Sequence, residues 1–133
     1  GLDITQKIRC CGDDFKGLIS SSPEIGAFLH QISDFYIKFY HGVVGEFVCL
    51  MHDPTAVLSI TDHHLISYEE MPIEIITEGE KIGMTIPATD PGRRPVKVAM
   101  AADNDAIIKT FLDICGESDT IKNHRLQDNH STG

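Results

Sequence analysis

No apolar run in this sequence approaches the roughly 18–20 residues that a bilayer-spanning helix needs. No basic start followed by an apolar stretch marks a signal peptide. Basic residues are scarce: 11 Lys and Arg stand against 20 Asp and Glu, a formal charge of −9. That balance argues against a nucleic-acid platform, which needs a cationic face, and against docking on anionic membranes. There are four cysteines, Cys10, Cys11, Cys49 and Cys115, with no C-x-x-C and no zinc-finger spacing. This density argues against a secreted disulfide framework. The thiols are expected in or near the core, in a reducing, cytoplasmic setting. Nor is there an EF-hand loop, a G-x-S-x-G elbow or a phosphate-binding G-x-x-x-x-G-K-[ST] loop. A methionine start is missing too. Gly1-Leu2-Asp3-Ile4-Thr5 reads as the end of a strand, so the chain is expected to be cut from a longer protein.

What is present is enough apolar material, 41% of 133 residues, to fold as one compact unit. Asp13 and Asp14 open a polar stretch that runs to Ser22. Ser22-Pro23-Glu24 is then a helix start, with Ser22 as cap and Pro23 in the first turn. Ile25, Phe28, Leu29, Ile32, Phe35, Tyr36 and Phe39 recur at helical spacing, which predicts a helix from Pro23 to His41 that buries this stripe and stops at Gly42. Asp53-Pro54 marks a second, shorter helix with Ala56, Val57, Ile60 and Leu65 inward, leaving through Asp62-His63-His64. The period then shortens. Residues 73–78 form a strand, Gly79-Glu80-Lys81 a turn, 84–87 a second strand, 89–94 a loop and 95–101 a third strand. The strands are expected as a hairpin plus one neighbour. Asp103 caps a last helix with Ile107, Ile108, Phe111, Leu112 and Cys115 on one side, ending at Gly116. Residues 1–116 therefore form the folded part. Residues 117–133 are a polar tail expected to be disordered, and its Asn129-His130-Ser131 sequon is taken as coincidence.

Chemistry concentrates at one dipeptide, His52-Asp53. A histidine at a helix N-terminus feels the positive dipole end, which disfavours the imidazolium, and an adjacent carboxylate, which favours it. A histidine so balanced suits proton donation near neutral pH. Asp53 offers hard oxygens for a divalent cation, although calcium takes about six to eight oxygens and one carboxylate does not make a site. The plainer alternative is that Asp53 caps the helix and His52 is a loop residue. His63 and His64 are vicinal, point apart, and read as a solvated helix end.

The run Val48-Cys49-Leu50-Met51-His52-Asp53-Pro54-Thr55-Ala56-Val57 resembles the late active-site signature of the inosine-uridine preferring nucleoside hydrolases. Its context resembles the same family in order: Gly1-Leu2-Asp3-Ile4-Thr5, the aromatic helix through Phe39-Tyr40, the hairpin of residues 73–79 with Gly83-Met84-Thr85, and the strand 96–103. The resemblance implies an α/β chain that is the C-terminal portion of that fold, helices plus a small hairpin-containing sheet, with the N-terminal Rossmann-like half absent. It implies hydrolysis of the N-glycosidic bond of purine or pyrimidine ribonucleosides, giving ribose and free base. His52 would be the acid that protonates the leaving base, and Asp53 a ligand of the catalytic Ca2+. The family's acidic D-x-D-x-x-x-D-D cluster, which supplies most calcium ligands and the general base, is missing, as are its ribose-gripping Asn and Glu. The chain alone is therefore expected to be inactive. The alternative is a non-catalytic remnant whose uncovered apolar faces pair with a full-length relative or in a homo-oligomer. Nucleobase preference stays open, with Val44 and Phe47 where relatives place an aromatic loop residue.

Overall fold

The computed structural model describes residues 1–90 and 92–128, with side chains through Glu117. Its elements run α1 (Leu2–Thr5), β1 (Arg9–Cys10), α2 (Gly12–Ser21), α3 (Pro23–Val44), β2 (Cys49–Leu50), α4 (His52–Thr61), a 3-10 turn (His63–Leu65), β3 (Ile66–Met71), β4 (Ile73–Ile75), β5 (Thr85–Pro87), β6 (Val96–Ala102) and α5 (Asn104–Asp128).

The opening residues are helical rather than a strand end. Their backbone closes on itself, with the Thr5 N–H donating to the Gly1 carbonyl at 3.2 Å. The polar stretch after Cys11 is also a helix. It carries two glycines and two serines, so no long apolar stripe announces it. Two inward residues, Phe15 and Leu18, hold it to the core. The Asp14 carboxylate accepts the Cys11 N–H at 2.7 Å and satisfies one free donor at its start. Ser22 then occupies the cap position of α3 but makes no side-chain cap bond. The α2–α3 corner closes over it, and its Oγ is buried without a hydrogen-bond partner among the described residues. The corner is tight because Gly26 lets α2 approach: a Cβ there would lie 2.5 Å from the Ile19 nitrogen.

Helix α3 runs past Gly42 and stops at Gly45, which takes the left-handed conformation at φ 77° that favours glycine. Its buried positions are Gly26, Ser33 and Ile37, not the predicted stripe. Leu29 and Tyr36 are partly buried against the core, whereas Phe28, Ile32, Phe35 and Phe39 are exposed, Phe35 by 77%. The same inversion holds on α4: Thr55 and Leu58 face inward, and Ala56, Val57 and Ile60 face out. Periodicity locates a helix's apolar face, but which face meets the body depends on what else is present to cover it.

There is no three-stranded sheet among the described residues. Three antiparallel pairs form instead: β1 with β2, β3 with β6, and β4 with β5. The predicted neighbour of the hairpin, β6, pairs with β3, in register from Met71 opposite Val96 to Ile66 opposite Ala102 across an irregularity at Ser67 and Tyr68. The hairpin is as expected, β4 on β5, with Gly79 and Gly83 both at positive φ in the connection. Asp103 caps α5, its Oδ1 accepting the Ala106 N–H at 3.1 Å. Ile107 is fully buried, with Ile108 and Phe111 packed beside it. Gly116 does not end the helix, whose backbone continues to Asp128. Its Cβ position lies 3.5 Å from Leu18 Cδ1, so glycine here marks close helix approach. The sequon and the last residues of the predicted tail, 129–133, lie outside the described residues, as does Pro91 of the predicted loop.

The core gathers where β1 and β2 meet α2, α4 and α5: Ile8, Cys10, Phe15, Cys49, Met51, Leu58 and Ile107. Among the described residues no helix is long and apolar enough to cross a membrane.

Candidate active site around His52

Strand β2 is buried at both residues and delivers the chain into α4. The Met51 N–H donates to the Ile8 carbonyl at 2.9 Å, extending the β1–β2 ladder to the residue before His52. Helix α4 starts at His52, with Met51 as its cap, so Asp53 lies in the first turn and is not the cap. Pro54 is tolerated there because the first helical N–H groups have no intrahelical acceptor. Thr55 is buried and its hydroxyl donates back to the Met51 carbonyl.

His52 is half-buried, and both ring nitrogens meet hydroxyls. Nδ1 lies 2.7 Å from Thr5 Oγ1, and Nε2 lies 3.4 Å from the Tyr40 hydroxyl. The Tyr36 hydroxyl donates to Tyr40 at 3.2 Å, with the rings edge-on at 4.7 Å. That donated bond, then burial, holds the Tyr36 hydroxyl above the ordinary phenol range, so it stays protonated. Tyr36 and Tyr40 are four residues apart on α3, hence on one face.

A cavity of about 360 Å³ opens beside these groups. Its walls include Phe15, Tyr36 and Phe111, with His52, Asp53 and Pro54 at one side. The volume and the apolar lining with few polar groups suit a small-molecule ligand. A second cleft, of about 390 Å³, has Arg9, Asp14, Asp105, Lys109 and Asp113 on its walls. It mixes both charges and contains neither His52 nor Asp53, so the site is assigned to the first.

Beside the cavity, burial disfavours ionisation of the core thiols Cys10 and Cys49. All four cysteines are free, with Cys10 and Cys49 facing each other across β1–β2. Burial pushes Cys10 up to about 12 and Cys49 up to about 11. His63 and His64 are exposed, as predicted, and take no part in the site.

The inosine-uridine preferring nucleoside hydrolase family model matches residues 1–109. The chain belongs to that family. An inosine-uridine preferring nucleoside hydrolase of Leishmania major is 32% identical over 90 residues, 65% of this chain and 27% of that protein. A purine-preferring ribonucleoside hydrolase from Gardnerella vaginalis superposes with a TM-score of 0.77 at 26% identity, over 87% of this chain and 38% of that one. A plant nucleoside hydrolase superposes with a TM-score of 0.75 at 24% identity, over 88% of this chain and 39% of that one. The architecture is thus part of the nucleoside hydrolase α/β fold, and the chain spans well under half the length of these relatives.

The two predicted site residues sit side by side at the cavity, His52 held by hydrogen bonds and Asp53 exposed. Thr5 and Tyr40 were not legible as partners of His52, nor was Tyr36 as the partner of Tyr40. The four-residue spacing of the tyrosines was the only signal available for two of them. Among the described residues, no group of three or more His, Cys, Asp or Glu is placed to hold a metal. Asp53 alone does not fit a calcium ion, which needs about six to eight oxygens.

Proposed function

We propose that this chain is the leaving-group half of a nucleoside N-ribohydrolase site, acting on purine or pyrimidine ribonucleosides. The observation that carries this is His52, fixed at both ring nitrogens beside an apolar, partly aromatic cavity in a chain of this family. The base would lie against the aromatic wall. As the bond from ribose C1′ to the base nitrogen breaks, its electron pair goes to the base, and an imidazolium His52 donates a proton there. Water forms the new bond at C1′ and releases a proton, giving ribose and free base. General-acid help of this kind is worth about 10²–10⁴-fold. The described residues by themselves do not make up a calcium site. Asp53 is proposed as one ligand, with the remaining oxygens supplied from outside these 133 residues, and the isolated chain is therefore inactive.

The test is ribose release from inosine and uridine by the protein at the length its cell makes. Loss of release in His52→Ala, with unchanged circular dichroism, supports the reading. Full activity in that variant overturns the role of His52, and robust release by the isolated 133 residues overturns the claim of incompetence. A second reading has one observation behind it. Phe28, Phe35, Val57 and Ile60 are all at least 60% exposed, a large apolar surface for one chain. That favours a non-catalytic chain acting by association with a full-length relative. A monodisperse monomer in light scattering would count against it.

A further inference from the structure

We infer that the β-ribbon of residues 66–102 docks against a second copy of this chain, the two ribbons stacking face to face about a two-fold axis. Strands β3 and β4 are one run with Pro72 as its only break. Strand β6 pairs with the first half of that run and β5 with the second. The Ala88 N–H donates to the Pro72 carbonyl at 2.9 Å and carries the second ladder up to the break. Between Ile66 and Ile107 no described residue is buried. A two-stranded ribbon is marginal in water unless an apolar face is covered. Tyr68 and Ala99, opposite each other, hold the root of the ribbon to the core, so the other face is turned away. On that face Met71, Ile73 and Ile75 alternate along the run, with Val96, Pro87 and Thr85 opposite them. Ile75 is 62% exposed and Val96 43%.

Charge indicates what covers this face. The run from Ile66 to Glu78 carries Glu69, Glu70, Glu74 and Glu78 and no Lys or Arg. The return from Thr85 to Ala102 carries Arg93, Arg94 and Lys97, with Asp90 as its single acid. Among the described residues none of those four glutamates forms an ion pair, nor does Arg94 or Lys97. Arg93 is already engaged, its Nη1 donating to the Ile73 carbonyl at 2.8 Å. A ribbon with one acidic and one cationic strand is complementary to itself. A two-fold axis along the ribbon lays each acidic run over the partner's cationic return, as an isologous contact requires. Edge-to-edge addition about a two-fold axis would set glutamates beside glutamates or cations beside cations, which is unfavourable. No ribbon residue lines the cavity beside His52, so the contact leaves that site open. The ribbon is a small surface, so the dimer is of the weak class and dissociates on dilution.

The inference goes beyond the hydrolase reading and does not depend on it. Its test is the mass of the protein at its natural length, followed by light scattering over a range of concentrations. The expected result is a rise from one chain to two. Ile75→Glu should hold the mass at one chain, with unchanged circular dichroism. That change also alters the ribbon itself, so a pair of charge-reversed proteins provides the second test: Glu69→Lys/Glu74→Lys and Arg94→Glu/Lys97→Glu. Each alone should dimerise about tenfold or more weakly, and an equimolar mixture should recover the wild-type mass, because the reversed strands match again. A single-chain mass at every concentration overturns the inference. So does a dimer indifferent to Ile75→Glu, or a mixture no better than its components. A dimer formed by the 133-residue chain but not by the protein at its natural length also overturns it, and assigns the ribbon face to the rest of that protein.

Discussion

The strand pair β1–β2 that leads into His52 and the hairpin of β4 and β5 are both two-stranded antiparallel pairs, yet they live under opposite conditions. The first pair is only two residues deep on each side, Arg9–Cys10 on Cys49–Leu50. Cys10, Cys49 and Leu50 are buried, at 0%, 9% and 3% exposure, as are the flanking Ile8 and Met51. The second pair has three residues on each side and a well-defined turn, with the Gly83 N–H on the Ile76 carbonyl at 2.7 Å. None of its strand residues is buried, and Ile75, Ile82 and Met84 are exposed. An isolated hairpin is marginal in water, whereas two short strands between helices inherit the stability of the body. The catalytic candidate is therefore mounted where positional precision is greatest, and the hairpin is free to be covered by something else.

The sharpest way to break this contrast is Ile8→Ala. It leaves a cavity under the strand pair and should cost about 2–5 kcal/mol in urea unfolding, whereas Ile75→Ala in the hairpin should stay within about 0.5 kcal/mol. Equal costs would abolish the distinction. Next comes Gly26→Ala, which drives a Cβ into the Ile19 backbone and should cost about 1–3 kcal/mol by forcing α2 and α3 apart. The buried thiols give a pH test of the same region. Cys10 rises to about 12 and Cys49 to about 11 from the ordinary 9.0, because burial penalises the thiolate. The unfolded chain thus loses these protons first as pH rises. Stability from the two groups is complete below pH 9 and is lost as pH climbs toward 11–12. Alkaline denaturation should shift to higher pH in Cys10→Ala/Cys49→Ala relative to its own neutral stability. The smallest effect belongs to Arg9→Ala, which removes the Arg9–Glu46 ion pair at 2.7 Å on the surface. Both partners are well exposed, so the change should not exceed about 1 kcal/mol and should shrink in salt.

Local chemistry made much of the chain readable. Pro23, Gly79 and Asp103 each do locally what their residue type does elsewhere, starting a helix, making a turn and capping a helix. His52 and Asp53 were legible because a short motif brings them together without help from the fold. The helix of residues 12–21 was not legible, since serine and glycine give no periodic signal and Phe15 and Leu18 matter only once a core exists to receive them. The strand at residues 66–71 carried a faint alternation, Ile66 and Tyr68 inward of Ser67 and Glu69, which its distant partner at 96–102 turns into a ladder. The faces that α3 and α4 bury differ from the expected ones for a related reason. An apolar stripe states that a face is to be covered, but not by which part of a protein.

Sequence alone thus pointed to the family, the hairpin, the strand at 96–102 and the helix after it, and it singled out His52 and Asp53 as candidates, because motif and turn signals act over a few neighbouring residues. Tertiary structure decided the partners of His52. Thr5 and Tyr40 reach its two ring nitrogens from 47 and 12 residues away. Hydrogen bonds over such separations depend on how helices pack around a buried strand pair, and no local pattern encodes that packing.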